Sequence, residues 1–173
     1  SYANTTGHGI IGKHNLSKHN LTFRETSVLL NSRLKLDGSM NLMRQVVKNK
    51  PTVGGFYMNP LVGLYRFPRG EDIAYYKENF EVYDEGRNLN IQNWHTSYED
   101  FEQNPYWITN RILSKENRMH VIVSLSANLK INDWLSLQAR GNVDYINDKV
   151  RQQFYASTAP ALAGANGRYI EMD

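Results

Sequence analysis

A chain of 173 residues with 20 Lys and Arg against 17 Asp and Glu has a net charge of +3, its two signs interspersed, so it carries no electrostatic footprint for nucleic acid. The absence of cysteine excludes a disulfide framework and thiolate metal sites. Aromatic residues at 12%, eleven of them Tyr, exclude a disordered chain and point to a folded, β-rich one.

The chain opens on SYAN in mid-pattern, with no initiator Met, basic n-region or apolar h-region, and reads as a piece of something longer without a signal peptide. No apolar run approaches the ~18 to 20 residues of a membrane helix, which leaves open a β-barrel, whose strands average out as polar. In TTGHGIIGKHN, Gly7, Gly9 and Gly12 spell G-x-G-x-x-G with Lys13 directly after. A dinucleotide site needs such glycines between a strand and a helix. Here they precede a strand with no βαβ unit behind them, so the segment is read as a flexible loop at a barrel mouth, using glycines for turns.

A first strand is predicted over about 17 to 30, with its register open because Leu21 and Phe23 fall on one face and Val28 and Leu30 on the other. A short turn near Asn31-Ser32 leads to a second strand over 33 to 46. It sets Leu34, Leu36, Gly38, Met40 and Leu42 opposite Lys35, Asp37, Ser39, Asn41 and Gln45. Residues 49 to 116 then read as one very long connection.

The strongest alternation lies at 118 to 131. Met119, Val121, Val123, Leu125, Ala127, Leu129 and Ile131 share one face; Arg118, His120, Ser124, Ser126, Asn128 and Lys130 share the other, with Ile122 the exception. After a tight Asn132-Asp133 turn, 134 to 148 repeats the design, completing a long antiparallel hairpin. Such strands exceed the roughly 5 or 6 residues usual in globular proteins, and their wet faces carry charges and amides. A membrane strand needs about 9 to 11 residues with an apolar outer face and a polar lumen. The predicted fold is therefore all-β, an antiparallel transmembrane β-barrel segment of four to five long strands, with short turns on one side and residues 49 to 116 as a long extracellular loop. Trp134 and Tyr145 would stand at the two aromatic girdles.

At PTVGGFYMNPLVGLYRFPRGED (51 to 72), NPYW (104 to 107), FYASTAPALAGANGRYI (154 to 170), and the strand texts LKLDGSMNLMRQVVKN and INDWLSLQARGNVDYIND, the sequence resembles the SusC/RagA family of TonB-linked outer-membrane proteins of Bacteroidetes. The resemblance covers essentially the whole chain. It implies a piece of a 22-stranded barrel in the cell outer membrane, importing glycans, or peptides in some members. It also implies a SusD-like surface lipoprotein as lid and TonB as partner through parts of the protein absent from these residues, as the plug domain is.

Thirteen of the twenty aromatic residues fall in the 49 to 116 stretch. Aromatic faces suit sugar C–H groups, and the tips of Tyr and Trp suit hydroxyls; a long excursion also needs a small core of its own. Phe67, Phe80 and Phe101, lacking a polar tip, are assigned to that core. Trp94, His95, Tyr98, Tyr57 and Tyr65 are the candidate ligand-binding residues. Asn104, Pro105, Tyr106 and Trp107 are assigned to loop scaffold or lid contact, since the resemblance places NPYW in proteins of diverse substrates. Acidic residues gather between Glu71 and Glu102 without a cation-loop spacing, and the five His are scattered, so no catalysis, metal or cofactor is expected. The alternative reading is a soluble β-rich glycan-binding module.

Overall fold

The computed structural model describes residues 1–50, 56–96 and 102–173. Six strands hydrogen-bond in chain order: β1 (Tyr2–His8), β2 (Asn15–Leu29), β3 (Leu34–Lys48), β6 (Ile112–Lys130), β7 (Ser136–Phe154) and β8 (Arg168–Met172). A separate hairpin pairs β4 (Glu81–Asp84) with β5 (Leu89–Gln92). The chain is thus all-β in class, and among the described residues the sheet order stays open, with no closed barrel. No described helix is long and apolar enough to cross a membrane, which says nothing about crossing by strands.

Two compact units divide the chain. The first holds Ser1–Thr6, Leu16–Val46 and Asn117–Lys149, and so the alternating parts of the four long strands. Antiparallel register in it is visible in single bonds: Thr22 N donates to Ser1 O (2.8 Å), and Lys130 N to Arg33 O (2.7 Å). Two side-chain bonds settle the open register of β2. Asn41 Nδ2 donates to Thr22 Oγ1 (3.0 Å) and Thr26 Oγ1 to Asp37 Oδ1 (2.8 Å), so the even residues of β2 share the polar face of β3. Leu21, Phe23 and Leu29 then stand on the apolar face, where Glu25 and Ser27 interrupt the row. Val28 joins the polar side, and Leu30 lies in the turn.

That turn is unusual, because Leu30, Asn31 and Ser32 all have positive φ (52°, 50° and 69°), a left-handed conformation costly for Leu in particular. It reverses the chain within the three residues, and Arg33 N bonds back to Leu30 O (3.1 Å). Between β6 and β7 the turn is wider than Asn132-Asp133 alone: Ile131 N and Asn132 N both donate to Leu135 O.

The second unit comprises Gly7–Asn15, Val47–Glu116 and Val150–Asp173. The presumed mouth loop is in fact strand and turn: Thr5 to His8 belong to β1, and the hairpin closes through Gly9 N to His14 O (2.9 Å). Gly9 is needed there because an added Cβ would collide with the His14 ring, so the glycine pattern serves the hairpin.

The described residues of the stretch read as one connection from 49 to 116 are folded. They contain a 3-10 turn (Phe56–Met58), α1 (Pro60–Arg66), α2 (Ile73–Glu78), the β4-β5 hairpin and α3 (Pro105–Arg111), and β6 starts at Ile112 rather than 118. The core of the second unit gathers Ile108, Ile112, Phe154 and Ala163, with Met58, Leu162 and Ile170 packed against them.

Candidate binding surfaces

In the first unit, the polar faces of β2, β3, β6 and β7 line one concave space of about 550 Å³. Most charge on this face is internally paired. Arg118 grips Asp148 with two bonds (2.7 and 2.6 Å), His120 Nε2 lies 2.6 Å from Asp144 Oδ1, and Asp37 takes the Thr26 hydroxyl with Lys35 at 3.5 Å. The opposite face is apolar and uncovered: Leu125 is 60% exposed, and Phe23, Met40, Leu137 and Val143 are exposed beside it in the same unit. Trp134 at the turn is likewise exposed.

In the second unit, two Asn-Pro pairs start helices. Asn59 Oδ1 accepts from Leu61 N (3.0 Å) ahead of Pro60, and Asn104 Oδ1 accepts from Tyr106 N (2.8 Å) ahead of Pro105. An Asn side chain satisfies a helical N–H that has no partner inside the helix, and proline at the first position loses none.

Asn104 does more than cap. Its N donates to Gln92 Oε1 (2.6 Å) and its Nδ2 to Tyr76 O (3.0 Å) and Asn93 O (2.8 Å), so a fully buried side chain has every polar group engaged. Trp107, 1% exposed, donates Nε1 to Thr158 Oγ1 (3.1 Å). Gln103 accepts from Ala159 N (2.8 Å) and donates to Tyr57 O, while Gln92 N donates to Ser157 Oγ (3.0 Å). Asn104, Pro105 and Trp107 are therefore framework, and Tyr106 is half-buried beside them.

This network makes Gly63 a contact point. A Cβ there would lie 2.6 Å from Gln103 O and 3.2 Å from Pro105 Cδ. Gly63→Ala should lower the unit's unfolding free energy by about 1 to 3 kcal/mol, despite the better helix propensity of Ala. Chemical denaturation against wild type checks this.

Trp94 and His95 are brought together, in an aromatic cluster with Phe67 and Tyr76. Centroids lie 4.8 Å apart for Trp94 and His95, and 5.2 Å from Trp94 to both Phe67 and Tyr76. Burial is the main cause that raises the Tyr76 phenol pKa, helped by its 2.9 Å bond to Glu71. The Glu102 carboxylate, 1% exposed, takes Arg66 Nε at 2.8 Å and has His95 Nε2 at 2.9 Å. Among the described residues His95 Nε2, Trp94 Nε1 and Thr96 Oγ1 are buried without a hydrogen-bond partner.

Of the remaining candidates, Tyr65 is 86% exposed on α1, Tyr57 is half-buried, and Tyr98 lies outside the described residues, as does Phe101. Phe80 sits under the Arg111 guanidinium (5.8 Å), which also faces the Tyr155 ring (5.0 Å). Arg111 is bound twice by Glu81 (2.7 and 2.6 Å), which raises its pKa. A space of about 260 Å³ opens beside this pair, lined also by Asn90 and Trp107. Neither Arg111 nor the Asn-Pro helix starts were foreseen as such. The N-P dipeptides at 59 and 104 carried that signal.

Among the described residues no three His, Asp or Glu side chains are grouped to hold a metal ion. No protein-family model and no curated protein matches this sequence.

Proposed function

We propose that the chain is barrel wall and outer rim of a TonB-dependent transporter of the SusC/RagA kind, importing glycans or peptides through the outer membrane with a SusD-like lid. The observation that carries this reading is the two-sidedness of the first unit, a polar concavity backed by an uncovered apolar face. In water such a face would drive association; against acyl chains it is the stable arrangement. The strand lengths agree. At 19 residues, β6 and β7 reach about 60 Å, more than the 9 to 11 residues a crossing takes, and so leave strand to stand above the bilayer.

The 49 to 116 stretch, the outer loop of this reading, belongs to the second unit. Its buried Asn104-Trp107 framework holds exposed aromatic groups such as Tyr65, Tyr75 and Tyr83, whose ring faces and hydroxyl tips suit sugars. The membrane part of the reading is tested by fractionation of cells producing the complete polypeptide. The protein should stay with the outer membrane through an alkaline carbonate wash and leave only with detergent. Release by the wash would favour a soluble glycan-binding module.

A further inference from the structure

The polar concavity of the first unit holds two arginines that have no ion pair within 4 Å among the described residues. Lys35, Arg118, His120 and Lys130 each lie within 4 Å of a carboxylate: Asp37, Asp148, Asp144 and Asp133. Arg24 on β2 and Arg140 on β7 line the same space, and neither makes a hydrogen bond or an ion pair among the described residues. Asp37, the acid that also lines it, is held first by Thr26 and Lys35, and Arg24 acts on its charge only as the smallest of the causes that lower its pKa. The hydroxyls of Ser39, Ser124 and Ser126 on the two intervening strands, and the amide of Asn142 two residues along β7 from Arg140, line it too.

We propose that Arg24 and Arg140 form an anion-recognition subsite for an acidic saccharide, one bearing carboxylate or sulfate groups on a hydroxylated chain. This rests on the transport reading for the saccharide and goes beyond it in naming the charge. A guanidinium presents a planar fork of donors that fits two oxygens of a carboxylate or sulfate, and it stays charged at any working pH. Three interstrand steps separate β2 from β7, roughly 14 Å along the sheet, so the two forks address separate anionic units of one chain rather than a single small ion. The hydroxyl and amide groups lining the same space match the neutral hydroxyls of the sugars joining those units.

The test measures binding of tetragalacturonate, and of a neutral galacto-oligosaccharide of the same length, to the complete protein in detergent by calorimetry. Wild type should bind the acidic probe more tightly, with an affinity that falls as salt rises. Arg24→Gln and Arg140→Gln should each weaken it about tenfold and the double variant about a hundredfold, leaving the neutral probe unchanged. Arg118→Gln, on the same face but paired, should have little effect.

The inference is overturned if wild type prefers the neutral probe or shows no preference, or if both arginine variants bind like wild type. Preference for an oligoglutamate peptide over the saccharide would overturn it as well. Wild-type preference is read without any variant, so a variant that misfolds does not shield the proposal. Carbonate fractionation on the same preparation separates the two readings: acidic-saccharide binding by a protein that the wash releases would sink the transport reading and leave the subsite standing.

Discussion

Leu125→Arg is expected to prevent the complete protein from assembling stably in a bilayer, at a cost of about 2 to 4 kcal/mol for a cation near the midplane of a lipid-facing strand. Leu125 lies in the middle of the alternating run of β6 and is 60% exposed, with its Cδ1 3.9 Å from where a Cβ on Gly38 would stand. It therefore has a glycine as neighbour on the adjoining strand and is more than half open among the described residues. Ser124→Arg, one residue earlier and on the polar concavity, should assemble like wild type, because a strand's side chains alternate between faces. Heat-modifiability on gels reads both. Equal assembly of the two variants would remove lipid from the account of this face.

The second large effect belongs to Trp107. Trp107→Ala should cost the second unit about 3 to 5 kcal/mol, since it empties the volume of a side chain only 1% exposed. It also orphans the buried Thr158 hydroxyl that accepts its Nε1 (3.1 Å). Trp107→Phe keeps most of the ring and loses the hydrogen bond, so its cost should be clearly smaller. Tyr65→Ala, at an 86% exposed position, should leave stability within about 0.5 kcal/mol while weakening sugar binding. Hydrogen exchange of the α3 amides follows all three. Unchanged protection in Trp107→Ala would mean that the Asn104-Trp107 framework does not hold the unit together.

The four long strands were legible because the requirement for one apolar and one polar face writes itself into period-two alternation, as at Met119 to Ile131. Where that requirement lapses, the signal lapses too. Residues 112 to 117 and 149 to 154 extend β6 and β7 without a sustained alternation: Ile112 and Phe154 at their far ends join the core of the second unit, and backbone pairing such as Asn49 N to Ser114 O (2.8 Å) holds part of the rest. For the same reason β1 went unread: YANTTGH has no alternation and contains a glycine, and only its bonds to β2 make it a strand. At five residues, β8 is too short to show a period. Within 49 to 116 the helices are only six or seven residues long, below the length at which amphipathic spacing declares itself, although Asn59-Pro60 and Asn104-Pro105 marked two of their starts.

The candidate site was legible in kind more than in place. Aromatic clustering in 49 to 116 was plain from composition, yet which rings are buried depends on tertiary partners. Trp107 meets Thr158, 51 positions away, and Arg111 meets Glu81, 30 positions away. No local pattern encodes such pairs. That Arg24 and Arg140 have no ion pair within 4 Å among the described residues is of the same kind, because it depends on which carboxylates lie near the other cations.

The central claim is that the odd-numbered face from Met119 to Ile131 meets acyl chains. Because this chain has no cysteine, single-cysteine variants of the complete protein at each position from 119 to 131 can carry a fluorophore in vesicles without a native thiol among these residues competing. Quenching by nitroxide-labelled lipid and by a water-soluble quencher should alternate with period two, lipid contact peaking at 121, 123, 125 and 127 and aqueous access at 120, 124 and 126. Aqueous access at both sets of positions, with no lipid quenching at 123 and 125, would contradict it.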